Sequence, residues 1–176
     1  MRCCDEIKFS RLISFDPNLR LSLWKTPEEA RKRILYGMKQ CDIMKISEEE
    51  VAFVSEQESL EKGVSFIRDN SDIKILFVTL GNKGSIAYYK DEKIYCGGIH
   101  QEHVVDTTGA GDTFCGAVLS RILELGTDAL TEKDIREMLL FANAAASIVV
   151  TRKGALCSMP EPEEIRAASS LIDKVL

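Results

Sequence analysis

The feature that most restricts the fold of this chain is a glycine turn that leads directly into a long amphipathic helix. The turn lies within Asp106–Phe114 (DTTGAGDTF), and Val104–Val105 before it predicts a short strand. After the turn, apolar residues at helical spacing, such as Val118 and Ile122, predict a helix over about Ala110–Leu125. A strand, a glycine turn and a helix N-terminus form an anion site, because the first helical turn has free N–H groups and the positive end of the dipole.

A carboxylate follows the second glycine of this turn, and its position distinguishes the turn from two common nucleotide motifs. A Walker A loop requires GxxxxGK[ST], and Gly81–Ser85 has these residues in the wrong order; a dinucleotide GxGxxG motif fails because Gly116 is displaced. Asp112 would repel a bound phosphate unless it contacted an acceptor hydroxyl, which is the arrangement that phosphoryl transfer needs. The alternative is that Asp112 is only an acidic residue in a first helical turn, where the helix dipole stabilises a negative charge by about 0.3–1 kcal/mol. Local chemistry alone leaves both interpretations open.

Composition narrows the class of protein. The 176 residues are 45% hydrophobic and 29% charged, which suits one globular domain or a large part of a bigger one. The net charge of -5 argues against a nucleic-acid partner. No apolar run approaches the roughly 18 residues of a membrane span, and the polar start predicts a cytoplasmic protein. The six cysteines form no CxxC pair and have no nearby histidines, so we expect no zinc site.

Strand-like and helix-like stretches alternate along the chain, which predicts an α/β fold. The last two strand-like stretches are separated by a short turn, so we expect an antiparallel hairpin within a mixed sheet. Predicted strands are Leu12–Asp16, which we expect to be buried, Asp42–Ile46, Ile73–Leu80, Ser85–Tyr89 and Ile94–Cys96. Predicted helices run from Thr26 to about Gln40, from Ser47 onward, and over Leu60–Asp69, Ala110–Leu125, Glu132–Val150 and Glu161–Val175.

The stretch DTTGAGDTFCGA is similar to the C-terminal signature of the ribokinase-like (pfkB) carbohydrate kinases, and the resemblance extends from about Ser14 to Met159. It implies a ribokinase-like three-layer α/β/α fold with a mixed, mostly parallel sheet. The implied activity is ATP- and Mg²⁺-dependent phosphorylation of a sugar CH2OH, with fructokinases the most similar group. Ribose, 2-keto-3-deoxygluconate and nucleosides remain open as acceptors. The resemblance implies Asp112 as the general base and the amides of Gly109, Ala110 and Gly111 as the anion hole.

Two further segments resemble family elements in the first half of the chain. Asp16–Arg20 (DPNLR) is similar to an element at the end of a central strand, which implies that Asp16 and Arg20 bind the sugar. An Asp-Pro-Asn turn with a solvated arginine is the alternative. Lys45–Glu50 aligns with an NxxE element, which implies that Glu50 holds Mg²⁺ through water and that Lys45 and Ser47 lie at the nucleotide. Ser47 stands where many members have Asn, and S-x-x-E is itself a capping box, so both roles can hold.

Two more segments resemble the family's nucleotide-binding elements. The stretch Val78–Gly84 is similar to a strand-end loop beside the nucleotide, which assigns Thr79, Gly81 and Gly84 to ATP. A hairpin-connecting turn is the alternative for Gly84. Small residues in Phe141–Ala146 resemble the helix of the adenine pocket, with Asn143 nearest to the base, although tight helix–sheet packing would also require them.

The loop Thr151–Ala155 resembles the family's monovalent-cation loop. The matching K⁺ positions are Asp106, Thr108, Val149, Arg152, Gly154 and Ser158.

The resemblance covers only the second half of the family pattern, so we expect a fragment without the N-terminal half and lid. Such a fragment would keep the site for ATP, bind its small sugar poorly, and self-associate, for example as a homodimer, through an uncovered sheet edge. A non-catalytic nucleotide-binding module is the competing hypothesis. A dinucleotide oxidoreductase is a more distant one.

Overall fold

A computed structural model describes residues 12–154 and 156–172. The chain divides into two compact units, of which the first ends at Val78 and the second begins at Thr79. The five strands form a mixed sheet, since β1 and β2 are parallel whereas β4 and β5 are antiparallel. The predicted α/β fold with a mixed sheet is therefore confirmed.

The first unit alternates strands and helices whose ends follow local sequence signals. Thr26 caps the first helix, because its Oγ1 accepts a hydrogen bond of 3.2 Å from the Glu29 N–H, and Pro27 occupies the first helical turn. Four of the five residues in each of the second and third strands are buried, as continuous apolar runs predict. The elements are β1 (Ser14–Phe15), α1 (Pro27–Met38), β2 (Ile43–Ser47), α2 (Glu48–Ser55), α3 (Leu60–Asp69) and β3 (Ile75–Thr79), whose last residue begins the second unit.

The first strand differs from its prediction. Only Ser14 and Phe15 pair with β2, opposite Ile43 and Met44, and Ser14 is exposed while Phe15 is half-buried. The prediction of a buried strand over Leu12–Asp16 was therefore wrong in length and burial. In the strand order β1 stands first, and the chain leaves the extended conformation at the Asp-Pro-Asn turn that follows.

The second unit is organised around one helix. Its elements are β4 (Gly84–Tyr89), β5 (Glu92–Gly97), α4 (Ala110–Leu125), α5 (Glu132–Val149) and α6 (Pro162–Ile172). Helix α5 packs against β4, β5, α4 and α6. Its start is fixed by a capping box, in which the Thr131 N–H donates to the Asp134 carboxylate at 2.8 Å and the Asp134 N–H donates to Thr131 Oγ1 at 3.2 Å.

The stretch before the glycine turn also differs from its prediction. Val104 and Val105 form no strand; they are 57% and 59% exposed, and the Val105 N–H donates to the Val150 carbonyl at 2.8 Å. This contact ties the segment to the end of α5, so its apolar residues do not mark a sheet strand. The predicted end of α6 at Val175 lies outside the described residues. Among residues 12–154 and 156–172, no helix is long and apolar enough to cross a bilayer.

Candidate active site

The second unit contains a cavity of about 400 Å³ at which three segments selected from the sequence meet. Its volume lies in the range typical of small-molecule sites, about 300–1,000 Å³. The lining includes Thr79, Gly81 and Gly84 from the strand-end loop, Ala110 and Gly111 from the start of α4, and Asn143 from α5.

Sequence reasoning missed a fourth segment of this cavity, which follows β5. Gly98, Ile99, His100 and Gln101 line it. At Gly98 the backbones are so close that a Cβ would clash with the Asn82 carbonyl, and the Gly98 N–H donates to the Lys83 carbonyl at 3.1 Å. The Gly-Gly pair before Ile99 was the available signal, since paired glycines permit close backbone approach.

Further lining residues come mostly from stretches already selected from the sequence, but none of them had been assigned an individual role. They are Asn82, Val104, Thr107, Phe114, Ala146, Ser147 and Val150.

Helix α4 begins at the glycine turn with an anion-binding geometry. Gly109 is the N-cap, with a positive φ of 83° that favours glycine, and no side chain caps the helix. The Ala110 N–H donates to the Thr107 carbonyl at 3.3 Å, so one of the three predicted anion-hole amides already has a partner. Asp112 lies in the first turn on the exposed side of the helix. The turn therefore presents a carboxylate at the positive end of a 16-residue helix.

Asn143 lines the cavity, but its side chain is buried and hydrogen-bonded. Its Oδ1 accepts from the Ser85 hydroxyl at 3.0 Å, and its Nδ2 donates to the carbonyls of Cys96 and Gly97, each at 3.2 Å. Only 7% of Asn143 is exposed. The amide thus joins α5 to both strands of the hairpin.

In the first unit, Asp16 and Lys45 form a largely buried ion pair. Lys45 Nζ lies 3.2 Å from Asp16 Oδ2 and 3.3 Å from Oδ1. Burial raises the pKa of Asp16 above its ordinary value, and the ammonium of Lys45 opposes that rise. The Asn18 N–H donates to Asp16 Oδ1 at 3.2 Å, as an Asp-Pro-Asn turn predicts. Arg20 is exposed, and its guanidinium contacts the carbonyl of Leu19 at 3.1 Å.

Glu50 closes the predicted capping box and also holds the Asp-Pro-Asn segment. Its Oε2 accepts from the Ser47 N–H at 2.9 Å, while Ser47 Oγ accepts from the Glu50 N–H at 3.2 Å. The other oxygen, Oε1, accepts from the Leu19 N–H at 2.6 Å. Both carboxylate oxygens therefore accept hydrogen bonds, and Glu50 is only 8% exposed.

The predicted cation positions are brought together in the second unit. Asp106 accepts from the Thr108 N–H at 2.9 Å and from the Gly154 N–H at 3.4 Å, and hydrogen bonds from Thr108 above all keep the pKa of Asp106 below its ordinary value. The Ser158 hydroxyl donates to the Gly154 carbonyl, and Arg152 contacts the Ser158 carbonyl at 3.5 Å.

Other parts of this loop are fixed in different ways. Arg152 also forms an ion pair with Glu164 of α6. Val149 is fully buried, and its carbonyl accepts from the Arg152 N–H at 3.0 Å. Ala155 of the predicted loop lies outside the described residues.

The cysteines have no metal-binding arrangement in the part of the chain that the structure describes. Cys41, Cys96, Cys115 and Cys157 are not in disulfide bonds, and burial raises the pKa of Cys41 to about 12. Cys3 and Cys4 lie outside that part. Within it, no group of three or more His, Cys, Asp or Glu side chains could hold a metal ion.

Residues 1–162 match the family model described as pfkB family carbohydrate kinase. The chain belongs to this family. It is 42% identical over 156 residues to fructokinase-1 of Oryza sativa, covering 88% of this chain and 47% of that protein. It is 39% identical over 153 residues to fructokinase-2 of Solanum lycopersicum, covering 87% of this chain and 46% of that protein. This pfkB chain therefore spans about half the length of these curated relatives.

Solved structures of sugar and nucleoside kinases share the fold. A fructokinase from Vibrio cholerae, in a form with fructose, ADP and calcium ion bound, has a TM-score of 0.80 at 33% identity, covering 89% of this chain and 50% of that one. Aminoimidazole riboside kinase from Salmonella enterica, complexed with aminoimidazole riboside and an ATP analogue, has a TM-score of 0.78 at 26% identity, covering 90% and 52%. The ribokinase-like fold is therefore confirmed for this pfkB chain.

Proposed function

We propose that this chain carries the ATP-binding and catalytic part of a sugar kinase that phosphorylates a CH2OH group of fructose. The observation that carries the proposal is the cavity, where the glycine start of α4 meets the strand-end loop and the small-residue face of α5. Family membership supports the reaction class, and the fructokinase relatives support fructose as acceptor.

The chemistry follows from the start of α4. The acceptor hydroxyl attacks the γ-phosphorus of ATP, its proton passes to the Asp112 carboxylate, and the bond from the γ-phosphorus to the ADP oxygen breaks. In this proposal the positive end of the helix dipole and the amides of the glycine turn stabilise the negative charge that develops on the transferred group. Gly109 and Gly111 contribute their N–H groups, and the third is that of Ala110, which also donates to the Thr107 carbonyl. Carboxylates are weak bases. A weak base suffices for this step because the proton leaves late in a loose transition state.

The remaining predicted site residues take supporting roles in this proposal. Thr79, Gly81 and Gly84 contact ATP from the strand-end loop, and Asn143 belongs to the wall near the base. In the first unit, Lys45 and Ser47 contact ATP. There, Asp16 and Arg20 contact the sugar.

Two cations fit the side chains present. When bound with ATP, Mg²⁺ neutralises phosphate charge; Glu50 would hold it through water, because each of its oxygens keeps a second lone pair after accepting its backbone N–H. A monovalent ion such as K⁺ suits the oxygen-rich loop of Asp106, Thr108, Val149, Arg152, Gly154 and Ser158. Asp106 fits a cation because its carboxylate is ionised at neutral pH, and the hydrogen bonds that lower its pKa favour that charged form further.

The test is Asp112→Asn in the protein at its natural length, with Glu124→Gln as the control. Glu124 is an exposed carboxylate at the other end of α4, so both substitutions remove one charge from the same helix. We expect Asp112→Asn to lower kcat for fructose phosphorylation by about 100-fold or more while ATP binding persists, because general bases contribute about 10²–10⁴-fold. The control should keep kcat within about twofold, as an exposed charge remote from the reacting atoms.

The outcomes separate the competing hypotheses. If ATP binds but no acceptor in a panel of fructose, ribose, 2-keto-3-deoxygluconate and nucleosides is phosphorylated, a non-catalytic nucleotide-binding module is supported instead. If Asp112→Asn retains full turnover, Asp112 is not the base. Absence of ATP binding would contradict the whole proposal.

A further inference from the structure

The segment that leaves β5 forms one wall of the cavity, and its position depends on a buried polar contact. Gly98, Ile99, His100 and Gln101 line the cavity immediately after the strand ends at Gly97. This stretch has no helical or strand hydrogen bonding of its own. A backbone hydrogen bond that holds it lies at the strand end, at Gly98.

Two contacts anchor the strand end, one on each side. The Gly98 N–H donates to the Lys83 carbonyl at 3.1 Å, which joins the segment to the turn before β4. From α5, Asn143 Nδ2 lies 3.2 Å from the carbonyl oxygens of both Cys96 and Gly97. An amide nitrogen carries two hydrogens, so it can donate to both carbonyls at once.

The orientation of Asn143 is fixed by its second partner. Ser85 is fully buried in β4, and its hydroxyl donates to Asn143 Oδ1 at 3.0 Å. This contact orients the amide so that its nitrogen faces the strand end. Breaking either contact would leave buried polar groups unpaired, which is costly in an interior.

The same contacts limit what Asn143 can do for a nucleotide. Both hydrogens of Nδ2 are directed to backbone carbonyls, so Asn143 has none left to donate to a base. The neighbouring lining residues Ala146, Val150 and Phe114 are apolar and offer packing surface.

We propose that Asn143 and Ser85 are a positioning pair that holds the wall of the nucleotide cavity at the end of β5 and does not read the base. The inference rests on the proposed nucleotide site and deepens it. Loss of either side chain weakens binding of every purine nucleotide by the same factor, because what changes is the shape of the wall. A residue that contacts the base directly would alter the preference between adenine and guanine.

The experiment measures the Kd of ATP and of GTP for the wild type, Asn143→Ala, Ser85→Ala and the double variant. We expect each single substitution to weaken both nucleotides by about fivefold or more, corresponding to one net hydrogen bond of about 1 kcal/mol. The ratio of the two Kd values should stay constant. The double variant should lose less than the product of the two single losses, because the two side chains act as one unit.

Hydrogen exchange of the Gly98 amide provides a readout that does not depend on nucleotide binding. We expect faster exchange in Asn143→Ala and Ser85→Ala. Ser147→Ala is the matched control, because Ser147 also lines the cavity from α5 but donates to Ala144 in its own helix at 2.8 Å. Exchange at Gly98 should not change in that control.

Several results would overturn the positioning role. One is a change in the ratio of the GTP and ATP Kd values in Asn143→Ala, together with an ATP Kd in Ser85→Ala equal to that of the wild type. This pair of results would identify Asn143 as a base contact. Unchanged Kd values in both variants, or unchanged exchange at Gly98, would also contradict it. A wild type that binds neither nucleotide refutes the proposed function, and the exchange measurement then still tests the contact. If Asn143→Ala does not fold, Ser85→Ala removes only a hydroxyl and decides the question.

Discussion

Replacing Glu50 by glutamine tests whether this carboxylate holds the first unit together. Its two oxygens accept from the N–H groups of Leu19 and Ser47, at 2.6 and 2.9 Å. Both donors are backbone amides, so the site requires two acceptors and no donor. Glutamine has nearly the same shape but supplies one acceptor and one donor. Its NH2 group must therefore face one of the two N–H groups.

The expected loss follows from these two hydrogen bonds. A hydrogen bond to a charged group contributes about 1.5–3 kcal/mol, and a neutral one about 0.5–1.5 kcal/mol. The substitution removes one charged hydrogen bond completely and converts the other into a neutral one. Since Leu19 and Ser47 are only half-buried, water can partly satisfy the released amide. We expect the free energy of unfolding to fall by about 2–4 kcal/mol.

The assay is urea denaturation followed by circular dichroism, with Glu49→Gln as the control. Glu49 precedes Glu50 in the first turn of α2 but is exposed, so its loss should cost only about 0.3–1 kcal/mol from the helix dipole. Both variants are measured with and without Mg²⁺. Equal losses in the two variants would refute the hydrogen-bond reasoning. A loss for Glu50→Gln that appears only with Mg²⁺ would also refute it, because the hydrogen bonds need no metal.

Three further predictions concern local packing and charge. Gly84→Ala should lower the free energy of unfolding by about 2–5 kcal/mol, because φ is +106° and the new Cβ would clash with a backbone carbonyl. Its control is Gly116→Ala, where no described atom lies near the Cβ position. In the same denaturation assay Gly116→Ala should instead raise the free energy of unfolding by about 0.5–1 kcal/mol, because alanine favours the helix. Burial raises the pKa of Asp16, so the contribution of Asp16 to stability is largest at pH values below its ordinary pKa and is lost as pH rises through the raised value. Because Lys45 opposes that rise, Lys45→Met should raise the pKa of Asp16 further in an NMR titration. A lower pKa of Asp16 in this variant would contradict the ion pair. Thr113→Val should raise the free energy of unfolding by about 1 kcal/mol, because the buried Thr113 hydroxyl has no partner among the described residues; a loss of stability would show that the hydroxyl is hydrogen-bonded.

Local signals in the sequence predicted most helix ends well. The capping box at Ser47, the Thr26-Pro27 start and the glycine turn before Ala110 each fix a helix start through contacts within a few residues. Such signals are readable from the sequence because donor and acceptor are close along the chain. The failures were Leu12–Asp16 and Val104–Val105, whose apolar residues indicate burial or pairing but cannot identify the partner.

The candidate site was likewise only partly predictable from the sequence. The glycine turn and the small-residue face around Asn143, which line the cavity, were found from the sequence, as was Asp112, which is not a lining residue; the segment after β5 was not found. Its residues have no periodicity, and their place in the cavity depends on contacts between residues far apart in the chain. Asn143 and Gly97, for example, are 46 positions apart.

The sequence alone determined which groups meet at the start of α4, because a glycine turn, a helix dipole and the adjacent Asp112 are all local. It also determined the family, since the signature is contiguous. The tertiary structure alone decided how Glu50 and Asn143 use their polar atoms. From the sequence they were a candidate metal ligand and a candidate base contact, and in the fold their side chains are engaged with Leu19, Ser85 and the end of β5. The physical reason is that a buried polar side chain must satisfy its hydrogen bonds, and only the fold determines which partners lie within reach.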